Sequence, residues 1–189
     1  MVVVAPSRHL FTVQEWDALG ELAFFPDDAR VELLEGEIID MSPIGTRHAS
    51  GVDRLNQLLM RQLGRRALLR VQGPVRLSER SELQPDLAVL HPRDDFYRDH
   101  KPGPGEVYLV IEVADSSLAY DRGAKALAYA RAGVPEYWVA DLGADQVHVL
   151  RGPSPNGFGE TSTVGPGGTI TPGRLPGVAV PASAALGLD

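Results

Sequence analysis

The chain has 189 residues, of which 43% are hydrophobic and 23% are charged, a composition typical of one globular domain with a substantial core. No apolar run approaches the roughly 20 residues that a membrane-spanning helix needs, and the opening MVVVAPSRHL has no basic region typical of a secretory signal. The absence of cysteine excludes disulfides, thiolate zinc sites and thiol nucleophiles, and we expect a cytoplasmic protein that does not contact the membrane.

The formal net charge of −7 argues against a nucleic-acid partner, but it hides a strong asymmetry along the chain. Residues 1–45 carry 2 basic and 9 acidic side chains, whereas residues 46–80 carry 8 arginines and 2 acidic side chains. Residues 81–115 are acidic again, with 3 basic and 8 acidic side chains. The arginine-rich stretch indicates either a solvated helix face or a phosphate-binding surface, because a guanidinium can hold phosphate with two hydrogen bonds. The acidic segments on either side could contribute to a site that binds divalent cations, or they could serve only to keep the protein soluble.

The first half of the chain is predicted to contain short helices and short strands. In chain order we expect a helix over 12–19, a β-hairpin of 31–34 and 37–41, a helix over about 47–64, and strands near 67–72 and 75–78. Thr12, followed three residues later by Glu15, is a helix-capping pattern, and Glu35-Gly36 is a turn pattern. The second helix carries His48 on the same face as an apolar stripe at helical spacing, formed by Val52, Leu55, Leu59 and Leu63.

The second half contains the most apolar strands. We expect buried strands at 87–90 and 107–113, an exposed loop over 91–105 between them, a helix over about 118–132, and strands at 136–140 and 146–150. Ser117 fits the cap position of this helix, and Gly133 and Pro135 end it. The tail 152–189, with 9 Gly and 6 Pro, is expected to form short edge strands that pack on the domain or on a neighbouring subunit. We therefore expect a single α/β domain over 1–189, with the tail as an extension of it.

Three polar residues stand where a purely structural role is hard to justify. Asp86 follows Pro85 directly before a buried strand, and Glu112 lies inside the most hydrophobic strand, where an unpaired carboxylate would cost several kcal/mol. Lys125 lies in the helix that follows, four residues after Asp121. If the two strands are neighbours, Asp86, Glu112 and Lys125 can converge. Two carboxylates and a lysine suit the hydrolysis of a phosphodiester with Mg²⁺.

Each of these residues also has an ordinary structural interpretation. Asp86 can cap a turn after its proline, and Glu112 can face solvent or pair with an arginine. Lys125 can pair with Asp121 one helical turn away, which is worth only a few tenths of a kcal/mol. In a catalytic site, the same lysine would orient the attacking water, assist its deprotonation or stabilise the transition state. The residue types alone leave both interpretations open.

Several segments form a recognisable series from about residue 10 to residue 185. In chain order they are VELLEGEIIDMSP, the His48 helix, QPDLAVL, VYLVIEVADSS, YDRGAKALAYARAGVPEYWVADL and the closing LPGVAVP. This series resembles the Uma-type restriction endonucleases, which belong to the PD-(D/E)xK nuclease superfamily, and its most specific part is YDRGAK…YARAGVPEYW. The resemblance implies a restriction-endonuclease-like α+β fold, in which a mixed central β-sheet is flanked by helices.

The resemblance also implies a metal-dependent DNA endonuclease. It assigns Asp86, Glu112 and the Val113 carbonyl as ligands of Mg²⁺, for which Mn²⁺ is the expected substitute. In the common arrangement of the superfamily a lysine stands two residues after the glutamate, but that position is Ala114 here. Lys125 instead matches the lysine that Uma-type members carry in the next helix, where it would position and activate the attacking water.

Other positions also match the resemblance. Glu32 is a candidate for a further metal or water ligand. His48 would contact phosphate or carry a proton, or else be a hydrogen-bonded histidine on a buried helix face. Weaker candidates for supporting groups are Gln84, Ser116, Asp121 and Tyr129. For Tyr137 and Trp138, core packing is the favoured interpretation. Candidates for contacts with the nucleic-acid backbone are Arg61, Arg65, Arg66 and Arg70.

Two further functions fit the same residues. One is a non-catalytic binding or structural module that keeps the nuclease fold, and the other is a hydrolase of a smaller phosphodiester, which the net negative charge favours. A homo-oligomer is also expected, because many nucleases of the superfamily work as dimers. DNA is the favoured substrate, but the sequence leaves open DNA or RNA and single or double strands. It has no helix-turn-helix or zinc-finger pattern for reading bases, so no recognition sequence is expected.

Overall fold

A computed structural model describes residues 7–188, so the expectation about a secretory signal at the start of the chain falls largely outside the described residues. The strands in this range, β1 to β12, are Val31–Leu34, Glu37–Asp40, Leu68–Val71, Val75–Ser78, Ser81–Leu83, Leu87–Leu90, Val107–Ala114, Glu136–Asp141, Gln146–Ser154, Gly157–Val164, Thr169–Ile170 and Val180–Pro181. The helices are α1 (Val13–Glu21), α2 (Thr46–Leu63), α3 (118–132) and α4 (Ala182–Leu186), with a 3₁₀ turn at Pro104–Glu106. No helix in the described range is long and apolar enough to cross a membrane.

The centre of the fold is a six-stranded sheet with the order β10-β9-β8-β7-β6-β3. Strands β7 and β8 are parallel, whereas the other neighbours in this sheet are antiparallel, so the sheet is mixed. A four-stranded sheet of order β2-β1-β5-β4 and a small sheet of β11 and β12 complete the strands. The expected fold class, a mixed central sheet flanked by helices, is confirmed.

Different elements cover the two faces of the central sheet. Helices α2 and α4 pack with the C-terminal segment on one face, and α3 packs with the four-stranded sheet on the other. Because side chains alternate along a strand, Ile111 and Val113 of β7 belong to the core beneath α2, whereas Val110 belongs to the core beneath α3. Glu112 therefore points to the α3 side, into the region between α3 and the four-stranded sheet.

The local structure near the start of the chain agrees with the sequence. The Thr12 hydroxyl accepts a hydrogen bond from the Glu15 amide at 3.2 Å, and the Glu15 carboxylate accepts one from the Thr12 amide at 2.8 Å, so the capping box is formed. The turn between β1 and β2 places Glu35 at φ 51° and Gly36 at φ 84°. A Cβ at Gly36 would lie 2.7 Å from the Leu10 Cβ, so this position requires glycine.

Helix α3 differs from the regular helix expected over 118–132. It begins as Leu118–Tyr120, passes through a π-helical segment at Asp121–Lys125, and continues as Ala126–Ala132. Ser117 occupies the N-cap position, but its hydroxyl donates to the Asp121 carboxylate instead of capping the helix backbone. Such wide turns are frequent at functional sites, and this one buries the side chains at both of its ends.

The tail also departs from the expected short edge strands. Strand β9 continues to Ser154 and pairs with the eight-residue β10, which forms one edge of the central sheet, and only β11 and β12 are short. The connecting turn is Pro155-Asn156, and the Pro155-Asn156-Gly157 run is a turn-forming sequence that could have predicted this pairing. Strand β5 was not expected, because three residues with two polar side chains carry no alternation to detect.

Candidate active site

A cavity of about 460 Å³ opens where the β2–α2 connection, the start of β6, the end of β7 and helix α3 meet. Four of the residues singled out from the sequence line it, namely His48, Asp86, Glu112 and Lys125. Glu32 lies against Lys125 from strand β1. The structure therefore brings together all five side chains that the sequence predicted for the catalytic site.

Asp86 precedes β6, where two neighbouring elements hold its carboxylate. Asp86 Oδ2 accepts a hydrogen bond from the Val113 amide at 2.8 Å and lies 2.9 Å from His48 Nε2. The Asp86 amide in turn donates to Glu112 Oε2 at 3.2 Å, because β6 and β7 are antiparallel neighbours. Both of these contacts of the carboxylate go to Oδ2. Val113 faces α2, so it reaches this cluster through its backbone.

Lys125 joins two carboxylates that come from different sheets. Its Nζ lies 3.0 Å from Glu112 Oε1 and 3.2 Å from Glu32 Oε1, and all three side chains are almost fully buried. Glu32 Oε1 also accepts a hydrogen bond from the Gln84 amide at 2.8 Å, whereas Glu32 Oε2 is buried without a partner among the described residues. The ion pairs of Lys125 in residues 7–188 are thus with Glu112 and Glu32, not with Asp121 in the preceding turn.

The charges around Lys125 do not balance. Burial raises the pKa of Glu112 well above its ordinary value. The charge of Lys125 lowers this pKa, whereas the neighbouring carboxylates raise it further. Burial also raises the pKa of Asp121. Burial alone would lower the pKa of Lys125, but Glu112 and Glu32 raise it above its ordinary value, so the ammonium group stays charged. Together with Asp86, four carboxyl groups therefore surround one lysine, an excess that a bound cation would relieve.

His48 and Asp86 form the second charged contact of the site. The hydrogen bond to Asp86 raises the pKa of His48 against the effect of burial. Burial alone would raise the pKa of Asp86, but His48 and the Val113 amide outweigh it and lower this pKa. His48 also lies on the buried face of α2, one turn before Val52, and its Nδ1 is buried without a partner in the described chain. Its position thus fits both interpretations made from the sequence.

The weaker candidates lie around the same cavity. Gln84, Ser116 and Asp121 line it, and the Tyr129 hydroxyl donates to Glu112 Oε1 at 3.3 Å. Tyr137 is fully buried, as expected for a core residue, and its hydroxyl donates to the Asp121 carbonyl at 3.0 Å. Trp138 is fully buried in the core on the other face of the sheet.

Arg30 and Tyr120 are among the lining residues that were not indicated by the sequence. Arg30 lines the cavity and donates to the Ser42 carbonyl, which ties the two ends of the hairpin together. The Tyr120 hydroxyl is buried without a partner among the described residues, and its ring centroid lies 5.7 Å from Lys125 Nζ. Burial raises the pKa of Tyr120 to about 12. Tyr120 opens the YDRGAK segment, so the motif could have drawn attention to it, whereas no pattern marks Arg30.

The four arginines proposed for backbone contacts lie away from this cavity. Arg61 and Arg65 are exposed near the end of α2. Arg66 donates to the Pro176 carbonyl at 2.7 Å and so holds the tail against the helix, which gives it a structural role. Arg70 lies on β3, at the edge of the central sheet opposite to β10.

The donor atoms of the site suit a hard divalent cation. Glu32 Oε2 is a buried carboxylate oxygen without a hydrogen-bond partner in the described chain, and oxygen is the ligand atom that Mg²⁺ prefers. The Asp86 carboxylate is held through Oδ2. Across residues 7–188, no three His, Asp or Glu side chains form a ready-made metal-binding set. Mg²⁺ does not require one, because it usually binds through one or two carboxylates and keeps several of its waters.

Comparisons with known proteins give the family and the fold of the chain. The Uma2 family, described as “Putative restriction endonuclease”, matches residues 15–183. Among solved structures, the chain is similar to a “putative nuclease belonging to DUF820 from Anabaena variabilis”, with a TM-score of 0.67 and 16% identity over 90% of this chain and 97% of that chain. At this identity the similarity shows a shared fold. None of the curated proteins compared with the chain matches it.

Proposed function

The chain belongs to the Uma2 family, and from this membership we propose that it is a metal-dependent endonuclease that hydrolyses DNA in the cavity beside Asp86, Glu112 and Lys125. The observation that carries the proposal is the buried excess of carboxyl groups around one lysine. A fold gains no stability from such an excess, because buried like charges repel and each carboxylate loses hydration. The excess is useful where a divalent cation and a phosphate must be bound.

Asp86 and Glu112 are the proposed protein ligands of Mg²⁺, with the Val113 carbonyl as a backbone ligand and Mn²⁺ as a substitute metal. The contacts of the Asp86 carboxylate support this assignment, because His48 and the Val113 amide both hold it through Oδ2. When bound, the metal would lower the pKa of a water and offset the charge that develops on the phosphate.

The side chains of the protein would position the reacting groups. Lys125, fixed between Glu112 and Glu32, would donate a hydrogen bond to the attacking water or to a phosphate oxygen. His48 would hold the Asp86 carboxylate in one orientation and contact the phosphate from the start of α2. Cleavage in the manner of the superfamily would leave a 5′-phosphate and a 3′-hydroxyl.

A second candidate function is the hydrolysis of a smaller phosphodiester. The cavity of about 460 Å³ falls within the range of small-molecule sites. The arginines of residues 61–70 also lie away from this cavity. The two functions share the same catalytic side chains but differ in the substrate that is cleaved fastest.

Cleavage by active-site variants tests the proposed function. Wild type, Asp86→Asn, Lys125→Ala and the exposed control Asp53→Asn would be incubated with supercoiled DNA, single-stranded circular DNA and bis(4-nitrophenyl) phosphate, with Mg²⁺ or with chelator. We expect Mg²⁺-dependent DNA cleavage that Asp86→Asn and Lys125→Ala each reduce by about 100-fold or more while the circular dichroism spectrum is retained. Retained cleavage by both folded variants would exclude this site, and hydrolysis of the small ester alone would favour the second function.

A further inference from the structure

A second concave region lies at the opposite end of α2 from His48. We call it the β3 groove, a groove of about 790 Å³ between the last turn of α2, strand β3 and the loop that follows β6. His48 and Met60, which lines the groove, are separated by about 18 Å along the helix at 1.5 Å per residue. The β3 groove is therefore distinct from the candidate active site.

An exposed aromatic ring stands at this groove on a strained loop. The side chain of Phe96 is 69% exposed, and the neighbouring Met60 is 56% exposed. Phe96 and Tyr97 have φ values of 52° and 59°, a region that residues other than glycine rarely adopt. The Tyr97 hydroxyl, which donates to the His91 carbonyl at 2.9 Å, holds the loop in this form. Strain that keeps an apolar ring in solvent points to a function for that ring.

Arginine side chains line the groove beside the exposed ring. The Arg70 guanidinium lies 5.5 Å from the Tyr97 ring centroid and donates to the Phe96 carbonyl at 3.2 Å. Both partners are uncharged, so they do not neutralise the charge of Arg70. Arg65 is exposed on the other side of the groove. The remaining charged lining residues are Asp94 and Arg93, and Arg93 forms ion pairs with Asp95 and Glu106. The lining thus carries three arginines and one aspartate, although the whole protein is acidic.

We propose that the β3 groove binds single-stranded nucleic acid, with a base stacked on Phe96 and adjacent phosphates held by Arg65 and Arg70. The ligand class rests on the proposed function, and the groove supplies a binding site outside the cavity where cleavage is proposed. An aromatic ring can stack on a base only if that base is not already stacked inside a duplex, so the ring favours a single strand. A second copy of the chain related by two-fold symmetry would place arginines against arginines, which disfavours that occupant.

The test measures binding without cleavage. Fluorescence anisotropy of a labelled oligothymidylate and of a duplex of the same length would be recorded with the full chain in chelator at several salt concentrations. We expect the wild type to bind the single strand more tightly, and Phe96→Ala to weaken that binding by about tenfold. Phe96→Tyr, which keeps the ring, should bind like the wild type. Arg65→Glu should weaken binding and reduce the slope of log affinity against log salt by about one.

Two exposed residues far from the groove serve as matched controls. Phe24→Ala removes an aromatic ring that is 66% exposed, and Arg8→Glu reverses a charge whose side chain is 89% exposed. Unchanged single-strand binding by both control variants would support specific binding in the β3 groove. Wild-type affinity in Phe96→Ala and Arg65→Glu would overturn the proposal. So would groove variants that change only the sedimentation of the protein, because a second copy would then be the occupant.

The two proposals fail separately. If the groove variants lose single-strand binding while Asp86→Asn cleaves like the wild type, the result supports the proposed β3 groove and contradicts the proposed active site. If Phe96→Ala binds like the wild type while Asp86→Asn loses cleavage, the result supports the proposed active site and contradicts the proposed function of the β3 groove.

Discussion

Two clusters of charged side chains in this protein are built on opposite principles. The first, which we call the balanced network, consists of Asp17, Arg76, Glu82 and Lys101. Arg76 lies 2.7 Å from both Asp17 and Glu82, and Lys101 lies 2.7 Å from Asp17 and 2.6 Å from Glu82. Two carboxylates thus meet two cations, and the contacts join α1, β4 and β5 to the loop before β7. Burial alone would raise the pKa of Asp17, but Lys101 and Arg76 lower it.

The second, which we call the site cluster, has one lysine for four carboxyl groups, namely Lys125 with Glu32, Asp86, Glu112 and Asp121. It is also more deeply buried, with 2% exposure of the Lys125 side chain against 34% for Lys101. In the balanced network, charge supports the fold. In the site cluster, four carboxyl groups outnumber their two cationic partners, Lys125 and His48, and this excess costs the fold stability that a bound cation would restore.

The largest expected effect comes from removing the lysine of each cluster. Lys125→Met should reduce cleavage by about 100-fold or more, because the buried ammonium group beside Glu112 is lost. Lys101→Met should leave cleavage unchanged and lower the free energy of unfolding by only about 1 kcal/mol, since this lysine is a third exposed. Single-turnover cleavage and urea unfolding of the two variants measure these effects. Equal losses of cleavage would remove the distinction between the clusters.

Neutralising one carboxylate in each cluster should change stability in opposite directions. Glu82→Gln removes the more buried of the two carboxylates that Arg76 and Lys101 share, so the free energy of unfolding should fall by about 2 kcal/mol. Glu112→Gln removes one of the excess charges, so the free energy of unfolding without metal should stay unchanged or rise by about 1 kcal/mol. Urea unfolding at neutral pH in chelator measures both. Strong destabilisation by Glu112→Gln would show that its charge supports the fold.

The pH dependence of stability should separate the clusters further. Glu112 and Asp121 have raised pKa values, so the folded protein binds more protons than the unfolded chain. Their contribution to stability therefore declines as pH rises above their unfolded pKa values of about 4. His48, whose pKa is also raised, stabilises the fold below its unfolded pKa of about 6.5, and this contribution is lost as pH rises through its folded pKa. The pKa of Asp17 is lowered, so Asp17 stabilises the fold fully above its unfolded pKa of about 4. This contribution to stability is lost only as pH falls through its pKa in the folded protein.

Metal-free unfolding between about pH 5 and pH 8 tests these signs. The free energy of unfolding of the wild type should decline across this range, and Glu112→Gln should decline less, so that the difference between the two grows with pH. Parallel curves for the two proteins would show that the Glu112 carboxyl does not carry the excess charge.

The smallest expected effect comes from an ion pair of equal length on the surface. Arg131 and Glu35 are 2.6 Å apart, the same distance as Lys101 and Glu82, but their side chains are 49% and 61% exposed. Arg131→Ala should therefore change the free energy of unfolding by less than about 0.5 kcal/mol. Thermal and urea unfolding measure the change. A loss of stability as large as that of Glu82→Gln would mean that the distance between the charged atoms, not their burial, determines how much an ion pair stabilises the fold.

The site cluster was largely predictable from the sequence, for physical reasons. Glu112 interrupts an apolar strand, and a carboxylate in that setting needs a cation, which the following helix offers in Lys125. Strand alternation then points Glu112 to the side where that helix returns. Asp86 precedes the other strongly apolar strand, and two such strands are usually neighbours. The family resemblance added Glu32 and His48, which local patterns alone do not mark.

The balanced network and the β3 groove could not be predicted in this way. Asp17, Arg76 and Lys101 lie far apart in the chain, and no local sequence pattern links them. The exposed loop over 91–105 was expected, but nothing in its sequence shows that Phe96 stays in solvent while Tyr97 is buried. That difference depends on two positive φ angles, which arise from tertiary contacts. The π-helical segment of α3 likewise has no signature in apolar spacing.

Metal binding by calorimetry tests the central claim most directly. Mn²⁺ and Mg²⁺ would be titrated into the wild type, Asp86→Asn and Glu82→Gln at neutral pH. The site cluster predicts saturable binding to the wild type, binding to Glu82→Gln with the same affinity, and a loss of affinity of about 10-fold or more in Asp86→Asn. No binding to the wild type, or equal binding to Asp86→Asn, would contradict the account.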